Sequence, residues 1–154
     1  MRRPIVAGNW KMNGGLKDIG RLVDGILEGL DAAMGAETVI CPPFVYLSAV
    51  AAAIEGSPLA LGAQNASEHP QGAFTGEVAV EMLMDFRCRY VIVGHSERRA
   101  MYAESDAQVA AKFARVTDAG LKPILCLGET LQERESEQTE SVVARQLEAV
   151  LKRV

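Results

Sequence analysis

The sequence is poor in cysteine and has no long apolar run. Its three cysteines, Cys41, Cys88 and Cys126, are widely spaced, form no CxxC pair and belong to no His/Cys cluster of the zinc type. An odd, dispersed set of this kind predicts reduced thiols and a cytoplasmic protein rather than a disulfide framework. The longest apolar stretch, residues 39–54, is interrupted by two prolines and is too short to cross a bilayer, so no membrane association is expected.

The sequence also lacks a basic excess and any low-complexity segment. Its net charge of −4 gives no general attraction to nucleic acid or to an anionic membrane, so neither partner is expected. A negatively charged protein still binds a small anion where local donors converge. With 49% hydrophobic and 23% charged residues, the chain is predicted to fold as one domain over residues 1–154 with a sizeable core.

A short β-rich apolar segment followed by a longer amphipathic segment occurs five times. The predicted strands cover residues 5–7, 38–41, 59–63, 90–93 and 122–127. The predicted helices cover residues 16–33, a segment from the two prolines to about residue 54, and residues 77–86, 106–119 and 130 to the end. Ser105 is the expected N-cap of the fourth helix, and Gly120 is its expected C-terminal stop. This alternation predicts an α/β fold with parallel strands joined by helical crossovers.

Two architectures fit this alternation, an open doubly wound sheet and an arc of a (β/α)₈ barrel. Most strand segments lack period-2 alternation, which is typical of parallel strands that are buried on both faces in either architecture. No GxGxxG motif follows the first strand, which weakens a dinucleotide-binding version of the open sheet. In both architectures, functional residues gather at the C-terminal ends of the strands.

Polar residues stand at these predicted strand ends. Asn9 and Lys11 follow the first strand, and their spacing on an extended segment points both side chains to one side. Lys11 offers a positive charge to a phosphate or a developing oxyanion, although a single lysine is more often a solvated surface residue. His95 follows the fourth strand, and a single histidine more often has a structural role. Convergence of these loops on one rim favours a polar site.

Other strand-end residues have simpler interpretations. Residues 96–99 form a Ser-Glu-Arg-Arg run that, except at Ser96 and Glu97, suits capping and salt bridges better than direct chemistry. Cys126 fits a small buried residue rather than a reactive thiol. His69 is expected to be exposed without a partner, whereas Phe74, between two glycines, fits an anchor in an oligomer interface.

Five segments together resemble the triosephosphate isomerase family. They are GNWKMN at 8–13, AQN at 63–65, GAFTGE at 72–77, VGHSERR at 93–99 and CLGE at 126–129. Their order and spacing agree with the family, and the resemblance extends from about Ile5 to the C-terminus. A different phosphate-binding α/β protein would require all five segments to be coincidental.

The resemblance implies a parallel (β/α) barrel of TIM type that interconverts dihydroxyacetone phosphate and D-glyceraldehyde 3-phosphate through an enediolate. It implies no metal and no cofactor. Asn9 and Lys11 would bind the substrate, and Lys11 would offset negative charge on the substrate and the enediolate. His95 would be the neutral electrophile that polarises the carbonyl, an assignment for which this enzyme is itself a well-known example.

The resemblance also assigns supporting and interface residues. Ser96 and Glu97 would support the site, with Glu97 near Lys11. Cys126 would pack beside the catalytic base. The loop of residues 64–77 would insert into a second subunit of a homodimer. The interface residues implied by the resemblance are Gln64, Phe74 and Thr75.

The residues that differ from the family are as informative as those that agree. The resemblance places the catalytic glutamate on a lid after the sixth strand and the phosphate-gripping turns after the seventh and eighth strands, outside these 154 residues. We therefore expect an incomplete barrel, about five of eight βα units, apparently truncated after the fifth. Glu137 stands where the family commonly has glycine, which predicts a local difference in that loop or helix start.

An incomplete barrel has consequences for stability and for catalysis. It would expose sheet edges at the strands that begin at Ile5 and Lys122. Because proton abstraction needs a base within hydrogen-bond reach, we expect binding determinants without efficient turnover in the isolated chain. The alternative is a non-catalytic barrel fragment that assembles with itself or with a complementary segment.

Overall fold

The structure, a computed structural model, describes residues 3–30 and 35–153. Strands and helices alternate along these residues as the sequence predicts. The elements belong to two compact units. The first comprises Met1–Asn65 with Glu81–Val91, and the second comprises Ala66–Val80 with Ile92–Val154.

The first unit carries a parallel sheet. Its elements are β1 (Ile5–Asn9), α1 (Leu16–Glu28), β2 (Glu37–Cys41), a 3-10 helix (Phe44–Tyr46), α2 (Leu47–Ala53) and β3 (Ala60–Ala63), and it shares α3 (Val80–Asp85) and β4 (Tyr90–Val93) with the second unit. The aligned Cα pairs include Asn9 with Cys41, Val39 with Ala60 and Gly62 with Tyr90. Since all these pairs are parallel, the carboxyl ends of neighbouring strands lie at the same edge of the sheet.

Burial in this sheet increases from β1 toward its inner strands. Every residue of β3 and β4 is buried, as expected for strands covered on both faces. A Cβ on Gly62 would lie 2.6 Å from Sγ of Cys41 and 3.3 Å from Cβ of Tyr90, so only glycine fits between the neighbouring strands. In β1, by contrast, Ile5 is 49% exposed and Val6 is 56% exposed, which agrees with the exposed edge expected there.

The second unit builds its core from two packed helices. Its elements are α4 (Ser96–Met101), α5 (Asp106–Asp118), β5 (Lys122–Leu125), α6 (Leu131–Glu135) and α7 (Thr139–Leu151). Val109 and Ala110 of α5 form a buried cluster with Val150 of α7, and Leu125 of β5 packs against it. β5 is the neighbour of β4, so the strands follow in the order β1-β2-β3-β4-β5. None of the described helices is long and apolar enough to cross a membrane.

Several predicted boundaries differ from those in the structure. α1 ends at Glu28 with Gly29 as its C-cap, and residues 31–33 of the predicted helix lie outside the described residues. The helix predicted from residue 77 begins only at Val80. The predicted loop 94–104 contains the short helix α4. The predicted N-cap is confirmed, because Ser105 forms a reciprocal capping box with Gln108.

The single helix predicted from residue 130 is two helices separated at Glu137. Glu137 has φ +57°. Its backbone N–H donates to the carbonyl of Arg134 at 3.0 Å, and the N–H of Gln138 donates to the carbonyl of Glu133 at 2.9 Å. These two bonds form a Schellman motif with Glu137 in the left-handed position, where glycine is favoured. Gly120 occupies the corresponding position after α5, with φ +81°.

Glu137→Gly is expected to raise the free energy of unfolding by about 0.5–1 kcal/mol. Removing Cβ relieves the left-handed strain, which outweighs the greater freedom of glycine in the unfolded chain. Urea unfolding of both proteins measures the difference. Glu135→Gly, the same substitution inside α6, is the control and is expected to destabilise the protein. Equal losses in the two variants would contradict this interpretation of the Glu137 backbone.

Candidate active site

In the first unit, Asn9 and Lys11 lie on one turn at the end of β1. The backbone N–H of Lys11 donates a hydrogen bond of 2.9 Å to Oδ1 of Asn9. Lys11 is exposed, and its φ of +53° lies in the left-handed region that non-glycine residues rarely adopt. Strain of this kind persists where surrounding contacts hold it, commonly at functional sites.

Gln64, directly after β3, supplies the contacts that hold this turn. Its side-chain amide donates to the carbonyl of Lys11 at 2.9 Å and to the carbonyl of Cys41 at 2.8 Å. One half-buried amide therefore connects the ends of β2 and β3 to the strained Lys11 backbone. The interface role of Gln64 implied by the family resemblance stays a prediction, whereas these two bonds give the residue a role within its own unit.

Gln64→Leu is expected to lower the free energy of unfolding by about 1–2 kcal/mol. The substitution keeps a similar volume but removes the donor from the carbonyls of Lys11 and Cys41. Urea unfolding measures the loss. Asn13→Leu is the matched control, because the exposed Asn13 amide donates to the single carbonyl of Trp10 at 2.8 Å. A loss no larger than that of the control would show that Gln64 does not hold the turn.

In the second unit, His95 is the N-cap of α4. The backbone N–H of Glu97 donates to Nδ1 of His95 at 3.2 Å, so Nδ1 is an acceptor and carries no proton in this contact. The neutral ring then has its proton on Nε2, which is the donor. The Glu97 carboxylate lies 3.5 Å from the same Nδ1. The amide contact is the shorter of the two, and because an N–H cannot accept a hydrogen bond, it determines the tautomer.

His95 also lines a small cavity at the ends of β4 and β5. The cavity has a volume of about 220 Å³, and Ser96, Arg99 and Cys126 contribute to its wall. Cys126 is half-buried. Burial raises the pKa of its thiol, although neighbouring Arg99 opposes this change. A protonated thiol fits the packing role that the sequence suggests better than a nucleophilic role.

Ser96 and Glu97 line a larger groove beside this cavity. The groove has a volume of about 620 Å³ and is also lined by Met101 and Glu129. Oε2 of Glu129 is buried without a hydrogen-bond partner. Ser96 is exposed and Glu97 is partly exposed, so both are accessible for the supporting roles predicted for them.

The loop that contains Phe74 and Thr75 is closed by its own contacts. The N–H of Ser67 donates to the carbonyl of Val78 at 2.8 Å. Phe74 is 42% exposed and stacks on His69, with ring centroids 3.9 Å apart and planes 2° from parallel. The expectation that His69 has no partner was therefore wrong. Four residues, Pro-Gln-Gly-Ala at positions 70–73, separate the two rings in one loop. The sequence therefore gives no periodic signal for their contact.

A buried charged cluster in the second unit was not predicted. As whole residues, Glu104 and Lys112 are 7% and 5% exposed. Nζ of Lys112 donates to Oε1 of Glu104. Nε of Arg98 donates to the same oxygen at 3.0 Å. Lys112 lies on the buried face of α5 together with Val109 and Val116. In the sequence, only the position of Lys112 on the apolar face of this helix indicates that its charge is buried and needs a partner of opposite charge.

The thiols of the first unit are buried and free. Cys41 and Cys88 form no disulfide, and burial raises the pKa of each thiol to about 12. Both are therefore protonated and poor metal ligands near neutral pH. Across residues 3–30 and 35–153, no three His, Cys, Asp or Glu side chains are grouped so that they could hold a metal ion.

Known proteins are similar to the chain along nearly its whole length. A family model described as triosephosphate isomerase matches residues 4–154. A triosephosphate isomerase from Dechloromonas aromatica is 57% identical over 154 residues, covering 100% of the chain and 61% of the relative. One from Thiobacillus denitrificans is 58% identical, covering 98% and 60%. One from Alcanivorax borkumensis is 55% identical, covering 97% and 59%.

The chain spans about 60% of the length of these curated relatives. The matches, together with the sequential parallel strand order, confirm the predicted fold class. The chain carries five βα units of a TIM-type (β/α) barrel, which has eight such units in its complete form.

Proposed function

Because this chain belongs to the triosephosphate isomerase family, we propose that it forms part of an isomerase that interconverts dihydroxyacetone phosphate and D-glyceraldehyde 3-phosphate. The reaction moves a proton between adjacent carbons through an enediolate. It therefore needs a base for the carbon-bound proton and a donor for the carbonyl oxygen. It also needs positive charge to stabilise the enediolate oxygens and the phosphate.

The observation that carries this proposal is the hydrogen bond from the Glu97 N–H to Nδ1 of His95. It leaves Nε2–H as the donor of a neutral imidazole. Such a group polarises the substrate carbonyl by donating a hydrogen bond, and its acidity is closer to that of the enediolate than the acidity of an imidazolium would be. His95 is thus proposed as the electrophile, with Glu97 fixing its tautomer.

Lys11 is proposed as the charge that offsets the substrate phosphate and the developing enediolate. The Lys11 residue is exposed to solvent. Asn9 is proposed as a substrate-binding residue that also holds the Lys11 backbone through Oδ1. The strained backbone at Lys11 supports this role, because hydrogen bonds from Asn9 at the end of β1 and from Gln64 directly after β3 hold the conformation.

The catalytic base is proposed to be the glutamate that the family carries in the sixth βα unit, outside these 154 residues. Glu97 and Glu129 are the carboxylates on strand-end segments of the second unit. The family uses neither of them as its base, so neither is assigned as the base. Efficient turnover by the 154-residue chain alone is therefore not expected.

A homodimer in the cytoplasm is the proposed form of the enzyme. The loop that contains the exposed Phe74 and Thr75 supports this proposal, because a loop held by its own contacts and carrying an aromatic anchor suits an interface. Two buried thiols that stay reduced support a cytoplasmic location. The single-domain organisation over residues 1–154 stays part of the same proposal.

The proposed function is tested by a coupled isomerase assay and by calorimetric titration with a phosphorylated enediolate mimic. Both use the 154-residue chain with its intact mass verified, and a Lys11→Ala version prepared identically controls for host isomerase. We expect the wild-type chain to bind the mimic, Lys11→Ala to lose that binding, and neither chain to turn over substrate.

Turnover that disappears in Lys11→Ala would mean that a base is supplied from within these residues or by a partner. Absence of mimic binding by folded wild-type chain would remove the support for a residual site. It would favour the alternative of a non-catalytic fragment that assembles through its edges, for which the exposed Ile5 and Val6 of β1 would be the docking strand.

A further inference from the structure

The side chain of Arg99 contacts Gly94, the residue that precedes His95. Nε of Arg99 donates to the carbonyl of Gly94 at 2.8 Å, and the Arg99 side chain is only 15% exposed. The backbone N–H of Arg99 also donates to the His95 carbonyl at 3.1 Å. Arg99 therefore contacts the carbonyls on both sides of the His95 backbone.

The remaining donors of Arg99 fix where its guanidinium lies. Nη1 donates to Oδ1 of Asp106 at 2.5 Å, and Nη2 lies 3.5 Å from the carbonyl of Cys126, at the outer limit of a hydrogen bond. Oδ2 of Asp106 accepts from Nε of Arg145 at 3.0 Å. The Arg99 guanidinium is thus bonded to Asp106 at the start of α5, and Asp106 in turn is bonded to Arg145 of α7.

The backbone at Gly94 is tightly packed and leaves no room for a side chain. Gly94 has φ +71°, and an added Cβ would lie 2.8 Å from Val109 and 2.9 Å from Nη2 of Arg99. A turn of this kind has no side chain of its own to fix the plane of the following peptide. The hydrogen bond from Arg99 to the Gly94 carbonyl sets that plane from outside.

We propose that Arg99 is a positioning residue for His95. By fixing the Gly94–His95 peptide, it sets the direction in which the His95 ring leaves the backbone and keeps Nδ1 on the N–H of Glu97. The neutral Nε2–H tautomer of His95 therefore depends on Arg99, which acts through the backbone on either side of His95. The catalytic meaning of this tautomer rests on the proposed function, whereas the dependence itself does not.

Arginine suits this position better than lysine. The planar guanidinium donates to the Gly94 carbonyl and to the Asp106 carboxylate at the same time, in fixed relative directions. A lysine in its place would keep the charge facing Asp106 but would present a single mobile point of donation. Arg99→Lys therefore separates the charge from the geometry.

The test is the ¹⁵N spectrum of the protein labelled at histidine, in the wild type, Arg99→Met and Arg99→Lys. The two histidines of these 154 residues, His69 and His95, give separate signals, and His69 serves as the internal reference. Arg145→Met is the matched control, because it removes the other partner of Asp106 and leaves the Gly94 contact in place.

The wild type and Arg145→Met are expected to show distinct resonances for an unprotonated Nδ1 and a protonated Nε2 of His95. In Arg99→Met and Arg99→Lys these two resonances are expected to move toward a common averaged position, while those of His69 stay unchanged. If Arg99→Met does not fold, Arg99→Lys decides the question. A wild-type pattern for His95 in either folded Arg99 variant overturns the proposal.

This readout does not depend on catalysis. If the wild-type protein shows the fixed tautomer and Arg99→Lys loses it, the positioning role is supported even where the enediolate mimic fails to bind. Conversely, mimic binding with an unchanged His95 pattern in Arg99→Lys supports the proposed function and overturns the role of Arg99. The two proposals therefore fail separately.

Discussion

Lys112→Met is expected to lower the free energy of unfolding by about 3 kcal/mol. The Lys112 and Glu104 side chains are 6% and 3% exposed, and removing one member of a buried pair leaves the other charge without its compensation. The loss falls at the low end of the usual range of about 3–5 kcal/mol, because Arg98 still donates to Glu104 at 3.0 Å. Urea unfolding with a common slope for both proteins measures it.

The chain contains a matched control for this substitution. Lys152 pairs with Glu148 at 3.1 Å, but the two side chains are 75% and 62% exposed. Lys152→Met removes the same ammonium from a solvated pair and is expected to change stability by less than about 1 kcal/mol. Similar losses in both variants would mean that burial of the Lys112 pair has no energetic consequence. Combining Lys112→Met with Glu104→Gln should recover part of the loss, since the two sites are coupled.

The pH dependence of the same difference gives an independent check. Burial raises the pKa of the Glu104 carboxyl, but hydrogen bonds from Lys112 and Arg98 lower it by more, so its pKa lies below the ordinary value. A carboxyl with a lowered folded-state pKa contributes stability that is complete above its unfolded pKa and is lost as the pH falls through the folded value. The gap between wild type and Lys112→Met should therefore be full at neutral pH and shrink below about pH 4.

The fold was predictable where local patterns and the tertiary structure agree. The order of strands and helices followed from apolar segments and their spacing, and the capping box at Ser105 and the stop at Gly120 are local events. The short helix α4 was missed because six residues carry too little periodicity to be distinguished from a loop. The break at Glu137 was visible only as a departure from a family pattern, since a glutamate gives no local sign of a left-handed backbone.

The candidate residues of the site were predictable, but the contacts that hold them were not. Lys11 and His95 could be selected because strand ends are where parallel α/β folds place function. The bond from Gln64 to the Lys11 carbonyl joins residues 53 positions apart, and only the strand register determines it. The same holds for Lys112, whose partner is set by how α5 packs and not by any spacing along the chain.

Lys11→Met is expected to lower kcat/KM by about 100–1000-fold in an isomerase that contains these residues. A chimera supplies such an enzyme by joining residues 1–154 to the rest of a curated relative that is 57% identical over this part of the chain. Methionine keeps the length and apolar stem of lysine but lacks the ammonium that is proposed to offset charge on the enediolate and the phosphate. A coupled isomerase assay on purified chimera measures the loss.

Lys17→Met in the same chimera is the control for the charge change. Lys17 is an exposed lysine on α1, outside the proposed site, so its substitution should leave kcat/KM unchanged. Unfolding curves show whether both variants fold as the parent chimera does. Comparable activity of Lys11→Met and Lys17→Met would remove Lys11 from the proposed machinery.

The division of the loss between kcat and KM identifies what Lys11 stabilises. If its ammonium acts mainly on the phosphate, which carries the same charge in substrate and transition state, KM rises while kcat changes little. If it acts mainly on the enediolate oxygens, kcat and kcat/KM fall together, because that charge exists only along the reaction. The strained backbone at Lys11 favours the second result. A left-handed φ at a lysine destabilises the fold. Precise placement of the ammonium beside the enediolate oxygens would explain why this conformation is kept. Binding the phosphate requires less precise placement of the positive charge.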